Sequence, residues 1–309
     1  MESAMKKQRL AASGAAAAAA SHGTPIAARA RLHYSKEVEG KRVGRYIGVE
    51  DQGELADVHS EHEVELGDAR ELQPPATVDT RCFELRNNAT AVQNFKDDEE
   101  IRRVYYSEME ELVKAATGAE RVFVFDHTVR DGAAGSKLNA KQGEAAAAVI
   151  RVHTDYSDES GPRRVQTLAD SGGYTGVKLS EAETKDILSN DFCIVNVWRN
   201  IKPEPVQSKP LAVLEPSTLD RNDFLRYEMQ FAERKGENFA LRYNPDHRWY
   251  FFPRMEKDEC LIFKTWESRK DRPRYCFHTA FEDLDQPAGA PPRSSIEVRT
   301  VAIMPKRTA

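Results

Sequence analysis

The sequence predicts a mainly β protein of the sandwich or barrel class, with helices packed outside the sheets. Short apolar runs recur at close spacing and are separated by turn residues, as at Asn244-Pro245-Asp246, which is typical of such folds. The motifs GxGxxG and GxxxxGK are absent, so the phosphate-binding loops of doubly wound folds are not indicated. Residues 97–116 have the apolar spacing of an amphipathic helix. These three observations define the expected architecture.

Length and composition are those of a globular protein. The 309 residues suffice for one large domain or two smaller ones, and 40% are hydrophobic and 31% charged. A net charge of −5 provides no basic surplus for a nucleic-acid partner, and no apolar run approaches the roughly 18 residues of a membrane span. The four cysteines lack CxxC spacing and are predicted to be reduced thiols in the cytoplasm. The sequence leaves the oligomeric state open.

The chain is predicted to contain a tail and one domain. Residues 1–28 include an alanine tract at 15–20 and are expected to be a disordered tail. The basic and small residues of this segment, and its scarcity of acids, would also suit an organellar targeting peptide. Residues 29–309 are expected to form a single domain. In it, strands at 28–34, 41–49 and 61–66 make an N-terminal extension packed on the main body.

The remaining elements follow in order along the chain. Residues 79–85 predict a strand, residues 97–116 a helix that Gly118 ends, and residues 121–126 a buried strand. A Gly/Ala-rich loop at 131–148 leads into a strand at 149–153, and residues 163–175 are polar and include Gly172-Gly173. Ser180 is a suitable N-cap for a short helix at 179–188. Further strands are predicted at 192–199, 211–214, 239–243, 248–252, 259–264, 274–281 and 291–299.

A histidine and a carboxylate two residues apart mark the first candidate site. In an extended segment, residues at i and i+2 point the same way, so His153 and Asp155 can offer a nitrogen and an oxygen to one point. They would supply two thirds of the two-His-one-carboxylate triad that holds Fe(II) with open coordination positions. The bare motif has low specificity, because a surface pair or a turn explains most occurrences.

The third ligand candidate is His278, in the aromatic run 274–281, where an antiparallel roll could bring it to the pair. On its own, a hydrogen-bonded core histidine is the simpler explanation of His278. Arg293 and Ser295 follow as an Arg-x-Ser pattern, and a guanidinium there can bind the distal carboxylate of a dicarboxylate. The alternative for these two is a solvated strand end. His127 is expected to be a hydrogen-bonded histidine at a strand end, not a ligand.

Four more residues are candidates for the wall of a substrate or cosubstrate cavity. Asn196 and Trp198 share one face of the strand at 192–199, and Arg199 lies on the other face. Arg130, at the end of the segment 125–130, and Trp249 complete the group. The plain alternative for the strand is a core position with an aromatic anchor.

The order of His-x-Asp, a distant histidine and an arginine resembles the Fe(II)/2-oxoglutarate-dependent dioxygenases. More narrowly, the chain is similar to the fungal and bacterial hydroxylase/desaturase family related to the cephamycin 7α-methoxylation protein and the aspergillic-acid pathway oxygenase. The resemblance extends over about residues 80–303. It is carried by residues 125–130, 153–156, 196–199, 210–213, 278–281 and 292–299.

This resemblance implies a double-stranded β-helix, the cupin-like jelly roll. It implies His153, Asp155 and His278 as catalytic iron ligands and Fe(II) and 2-oxoglutarate as cofactors. Arg293 with Ser295 would bind 2-oxoglutarate, and Arg299, within the last strand, is the rival. The implied reaction uses O2 to hydroxylate or desaturate a small molecule of the secondary-metabolite kind. A zinc-dependent hydrolase on the same ligands and a non-catalytic jelly-roll binding protein remain alternatives.

Overall fold

The computed structural model of the protein describes residues 24–132, 148–170, 178–286 and 289–306. Most of the predicted tail and most of the Gly/Ala-rich loop lie outside the described residues. The first strand begins at Ile26, so residues 26–28 belong to the folded domain rather than to the tail.

Fifteen strands and three helices of two turns or more make up the described part of the chain. The strands are β1 Ile26–Lys36, β2 Arg42–Tyr46, β3 Leu55–Ala56, β4 Val58–Asp68, β5 Phe83–Asn87, β6 Arg121–Asp131, β7 Phe192–Asn200, β8 Leu211–Leu214, β9 Phe224–Gln230, β10 Lys235–Leu241, β11 Trp249–Phe251, β12 Glu259–Glu267, β13 His278–Ala280, β14 Glu282–Asp283 and β15 Ser294–Ile303. The helices are α1 Tyr106–Thr117, which follows helical turns at Asp98–Glu100 and Ile101–Tyr105, α2 Ser160–Asp170 and α3 Glu181–Ser189. Short 3₁₀ turns occur at Ala69–Glu71, Pro216–Thr218 and Arg221–Asp223.

The strands form three sheets that together build the predicted jelly roll. One has the order β5-β12-β7-β15-β6, the second β13-β8-β11-β4-β1-β14, and the third β10-β9-β2-β3. The predicted N-terminal strands are integrated into the fold, because β4 pairs with β11 and β1 pairs with both β4 and β14. Among the described residues, no helix combines the length and the apolar character needed to cross a membrane.

The five-stranded sheet has one face against α1 and the other toward the interior of the roll. Val195 and Val197 on β7 pack in the cluster that contains Met109 and Val113 of α1. Alternation along the strand therefore turns Asn196 and Trp198 to the inner face, as the sequence predicted. The helix has the predicted boundaries, because Asp97 caps the preceding turn and Gly118 ends α1 with φ of 68°.

Strand register also fixes which side chains of the six-stranded sheet face the interior. His278 pairs with Val213, and Val213 pairs with Tyr250. Directly opposed residues project from the same face, so Tyr250 lies on the side of His278. Trp249, the next residue along β11, projects from the opposite face.

The structure differs most from the sequence prediction in three elements. Residues 160–170 form α2, a helix that the polar composition of this region did not predict, and Val165 and Leu168 bury one face of it. Strand β9 was not predicted, although Leu225 and Tyr227 alternate with exposed or half-buried residues. The segment at 149–153 is extended but is not a continuous strand, because its residues pair singly with β1, β10 and β13.

Candidate metal centre

The structure brings the three predicted ligands together. One ligand atom from each of His153, Asp155 and His278 lies within 4.8 Å of the others. Nε2 of His153 is 3.7 Å from Oδ1 of Asp155, and Nε2 of His278 is 3.8 Å from the same oxygen. His153 also forms an isolated bridge with His278, so backbone pairing fixes the spacing of the two imidazoles.

Both imidazoles are held in the tautomer that a metal requires. Nδ1 of His153 lies 2.7 Å from the carbonyl oxygen of Arg151, and Nδ1 of His278 lies 3.0 Å from that of Cys276. A carbonyl only accepts, so each Nδ1 carries the proton and each Nε2 keeps its lone pair for a ligand bond. Burial, followed by repulsion from His278 and Arg151, lowers the pKa of His153 well below its ordinary value. The ring is therefore neutral, as ligation needs.

Asp155 is held as a carboxylate by the five-stranded sheet. Nδ2 of Asn196 donates to its Oδ2 at 2.7 Å, and Nε of Arg299 donates to the same oxygen at 3.2 Å. Burial alone would raise the pKa of Asp155, but the Arg299 cation, helped by the hydrogen bond from Asn196, outweighs burial and holds the pKa well below its ordinary range. Oδ2 is thus engaged by the protein, while Oδ1 faces both histidines.

Arg299 forms ion pairs with three carboxylates of the protein itself. Besides Asp155, it contacts Asp126 at 3.1 Å and Glu297 at 3.0 Å. Burial alone would lower its pKa, but these three carboxylates raise it well above the ordinary value. The side chain bridges β6, β15 and the segment that carries the ligands. This arrangement suits a structural role in holding Asp155 better than a role in binding and releasing a ligand.

Arg293 has the opposite environment. Its side chain is buried, its Nη1 donates to the carbonyl of Lys209, and its guanidinium carbon lies 5.3 Å from the ring centroid of Trp198. Burial, and then repulsion by Arg130, lower its pKa to about 9, and Glu297 acts in the other direction. A guanidinium stays charged at neutral pH, so this buried cation favours an anionic ligand.

Among the described residues, several buried polar atoms along the inner face from the triad to Arg293 lack a hydrogen-bond partner. They are Nε of Arg293, Oγ of Ser295, Nε1 of Trp198 and Oδ1 of Asn196. Glu297 pairs with Trp198, and Arg299 with Asn196, across β7 and β15, so these atoms line a continuous stretch of the inner face that starts at the triad. Buried polar atoms without partners are uncommon in folded proteins, and the donors among these atoms are Nε of Arg293, Oγ of Ser295 and Nε1 of Trp198. The chain therefore fits both an iron ion and an elongated anionic cosubstrate.

The remaining predicted residues divide between the site and the core. Arg130 pairs with Ser295 across β6 and β15 and interacts electrostatically with Glu297 and Asp155, which places it at the Arg293 end. Trp249 does not join the cavity wall. It is fully buried and donates its Nε1 to the Tyr34 hydroxyl at 2.7 Å on the face opposite His278, because Tyr250 takes the inward position.

His127 lies outside the triad, as expected. Its Nδ1 is 2.7 Å from the Tyr106 hydroxyl and its Nε2 is 3.1 Å from Asp98. Strand β6 continues past the predicted end to Asp131, so His127 lies within the strand rather than at its end. Its ring bonds to the helical segment that covers the outer face of the sheet.

Sequence reasoning missed the roles of two acids, Asp126 and Glu297. Glu297 accepts from Asn196 at 3.1 Å and from Arg299 at 3.0 Å. The spacing of Glu297 and Arg299, two residues apart on one strand face, could have predicted their contact. No sequence signal predicted the contact of Asp126 with Arg299, because that contact depends on pairing between strands far apart in sequence.

Comparison with known proteins agrees with this geometry. Residues 32–303 match the family described as "Oxidoreductase/YMDC permease-like domain". The chain belongs to that family. It is 27% identical over 257 residues to "Hydroxylase/desaturase efuI" of Hormonema carpetanum, which covers 76% of this chain and 81% of the relative. It is 29% identical over 248 residues to "Fe(II)/2-oxoglutarate-dependent dioxygenase nvfI" of Aspergillus novofumigatus, with 77% and 82% covered.

A solved structure supports the same fold. The "iron and alpha-ketoglutarate-dependent endoperoxidase NvfI" superposes with a TM-score of 0.75 at 24% identity, covering 90% of this chain and 98% of that chain. The predicted jelly roll is therefore confirmed. The predicted membership of the Fe(II)/2-oxoglutarate-dependent oxygenase superfamily is confirmed by these matches together.

Proposed function

We propose that the protein is a non-haem Fe(II)/2-oxoglutarate-dependent oxygenase that hydroxylates or desaturates a small molecule of the secondary-metabolite kind. The observation that carries this proposal is the triad of His153, Asp155 and His278, with both Nδ1 atoms tied to carbonyl oxygens and both Nε2 atoms facing one carboxylate. The relatives named hydroxylase/desaturase and dioxygenase support the same reaction class. A cytoplasmic location suits the four buried free cysteines.

Each part of the cavity has a defined role in this proposal. Bound iron, with O2 and 2-oxoglutarate, supplies the oxidising chemistry, in which 2-oxoglutarate becomes succinate and CO2. The triad holds the metal, and Asn196 and Arg299 fix the orientation of Asp155. Arg293 binds the distal carboxylate of 2-oxoglutarate, and Ser295 donates to the same group.

Arg299 is the weaker candidate for that cosubstrate role. Its guanidinium already contacts three carboxylates, so it could bind 2-oxoglutarate only by giving up contacts that hold a metal ligand. Arg130 adds positive charge at the Arg293 end, and Trp198 closes one side of the cavity with its ring. Burial of these groups excludes water and strengthens their electrostatic interactions with the cosubstrate.

A zinc hydrolase on the same ligands needs a carboxylate as general base beside the metal. The two acids next to the triad, Glu297 and Asp126, are both ion-paired with Arg299. One oxygen of each acid is bound to the Arg299 guanidinium, so using either acid as the general base would disturb a contact that holds Arg299 in place. This arrangement favours the oxygenase.

The test is an anaerobic titration of the full chain with Fe(II) and 2-oxoglutarate. A visible charge-transfer band that needs both components, and is absent in His153→Ala, supports the proposal. O2 and a panel of candidate metabolites are then added and succinate is measured. Tight retention of zinc with no band would favour the hydrolase, and a band without succinate release from any candidate would favour a binding protein.

A further inference from the structure

A second polar group lies beside the triad, next to strands β9 and β10. Its central member is Arg151, two residues before His153. Val152 between them is fully buried in the hydrophobic core. Because alternate residues of an extended segment point the same way, Arg151 and His153 project together from the opposite side of the segment.

Strands β9 and β10 supply the rest of this group. His153 bridges Ala240, and Ala240 and Asn238 project from the same face of β10. Asn238 pairs with Tyr227 of β9. The guanidinium carbon of Arg151 lies 3.6 Å from the ring centroid of Tyr227, so the arginine lies flat on the tyrosine ring. Ala240 thus connects the metal ligand to a surface formed by Tyr227, Asn238 and Arg151.

Among the described residues, Nη1 of Arg151 and Oδ1 of Asn238 have no hydrogen-bond partner, and the Tyr227 hydroxyl has only a long contact with the Asp57 carboxylate. Tyr227 is fully buried and Asn238 is 4% exposed. The residues around them form a buried apolar cluster, in which Tyr227 and Ala240 pack with Val43 and Leu225. A few convergent polar groups in an apolar lining are typical of a small-molecule site.

The charge of the group is positive. Arg45 interacts electrostatically with Arg151, and its Nε lacks a partner among the described residues. Two acids interact with Arg151: Asp57, which is shared with His59 at 3.0 Å, and Asp155, which is paired with Arg299. Because both acids are shared with other side chains, the group keeps an excess of positive charge, and an anion is the complementary ligand.

We propose that Arg151 and Tyr227 bind a carboxylate group of the substrate and thereby hold a largely apolar molecule beside His153. The inference rests on the proposed oxygenase function and names its substrate class. The guanidinium and the phenol hydroxyl are donors to the carboxylate, and the apolar cluster around Ala240 receives the hydrocarbon part. Oδ1 of Asn238 is an acceptor, and it fits a hydroxyl of the same molecule rather than the carboxylate.

The experiment compares matched carboxylates and carboxamides. Cyclohexane-, adamantane- and naphthalene-1-carboxylate, each with its primary carboxamide, are titrated into the full chain by calorimetry. Titrations are run anaerobically with Fe(II) and saturating 2-oxoglutarate, which occupies the Arg293 end, and again without either. The variants are Arg151→Met, Arg151→Lys and the control Arg163→Met. Arg163 is a half-exposed arginine of α2 paired with Glu159.

At least one carboxylate is expected to bind the wild type and Arg163→Met about tenfold or more tightly than its carboxamide, as for a charge-assisted contact. The preference disappears in Arg151→Met and persists in Arg151→Lys, which keeps the charge. Thermal unfolding verifies that each variant is folded. The proposal is overturned if no carboxylate binds, if the wild type shows no preference, or if the preference survives in Arg151→Met.

Failure of the two proposals can be told apart. A carboxylate preference without the Fe(II)- and 2-oxoglutarate-dependent band would refute the oxygenase and leave the anion site. The band without a carboxylate preference would refute only the anion site.

Discussion

The different surroundings of Arg293 and Arg299 predict opposite effects of the same substitution. In Arg293→Met, methionine replaces a buried cation whose Nε has no partner in the described part of the chain, so the metal-free protein is expected to unfold within a few degrees of wild type. The variant loses at least one charge-assisted bond to 2-oxoglutarate. Such bonds contribute about 1.5–3 kcal/mol, which corresponds to a rise of roughly 10- to 150-fold in Kd.

Arg299→Met is the matched variant. It leaves Asp155, Asp126 and Glu297 without the cation they share. Removing one partner from a buried ion pair costs about 3–5 kcal/mol, and each kcal/mol lowers Tm by about 2–4 °C in proteins approaching this size. We therefore expect Tm to fall by roughly 10 °C without any ligand.

Thermal unfolding and an anaerobic 2-oxoglutarate titration of the Fe(II) form measure the two quantities. The titration follows the visible band in Arg293→Met, Arg299→Met and wild type. The reasoning is refuted if Arg293→Met binds 2-oxoglutarate as tightly as wild type. Unchanged Tm in Arg299→Met together with lost cosubstrate binding would reverse the two roles.

Three further predictions follow from single contacts. Asn196→Ala removes a donor to Asp155 and should weaken Fe(II) binding about 10- to 100-fold in a chelator competition; unchanged affinity would exclude a positioning role. Burial lowers the pKa of His127 below its ordinary value, so the unfolded state takes up the proton first and stability falls as pH drops below about 6.5. Urea unfolding at pH 7.5 and pH 5 should show this loss, and His127→Gln should reduce it; an equal loss in both proteins would contradict the assignment. Gly161→Ala places a methyl group 2.6 Å from the Trp266 ring and should cost about 1–3 kcal/mol in the same assay, whereas wild-type stability would show that the ring can move.

The ligands were predictable because their chemistry lies in short motifs. His153 and Asp155 share a tripeptide, and extended geometry alone puts them on one side. His278 needed the resemblance, since pairing between the segment at residue 153 and β13 connects residues 125 positions apart. The inward face of Asn196 and Trp198 followed from alternation on β7, where both neighbouring strands confirm the register.

The errors arose where the local sequence pattern was weak, or where pairing between distant strands decided the position of a side chain. Helix α2 is polar apart from a few apolar positions, so no helix was predicted there. Trp249 is an aromatic residue of the kind that often lines cavities. However, neighbouring residues of a strand project from opposite faces, and Tyr250 takes the inward position. Arg299 was the rival for cosubstrate binding because it lies within the last strand, and its contact with Asp126, which depends on the pairing of β6 with β15, could not be predicted from the sequence.

The central claim is that His153, Asp155 and His278 share one ferrous ion. A crystal structure of the chain loaded anaerobically with Fe(II), with anomalous data at the iron edge, tests it most directly. We predict one strong anomalous peak within bonding distance of both Nε2 atoms and of Oδ1 of Asp155, and no such peak in His278→Ala. A peak elsewhere, or no peak at the triad in a fully loaded crystal, would contradict the claim.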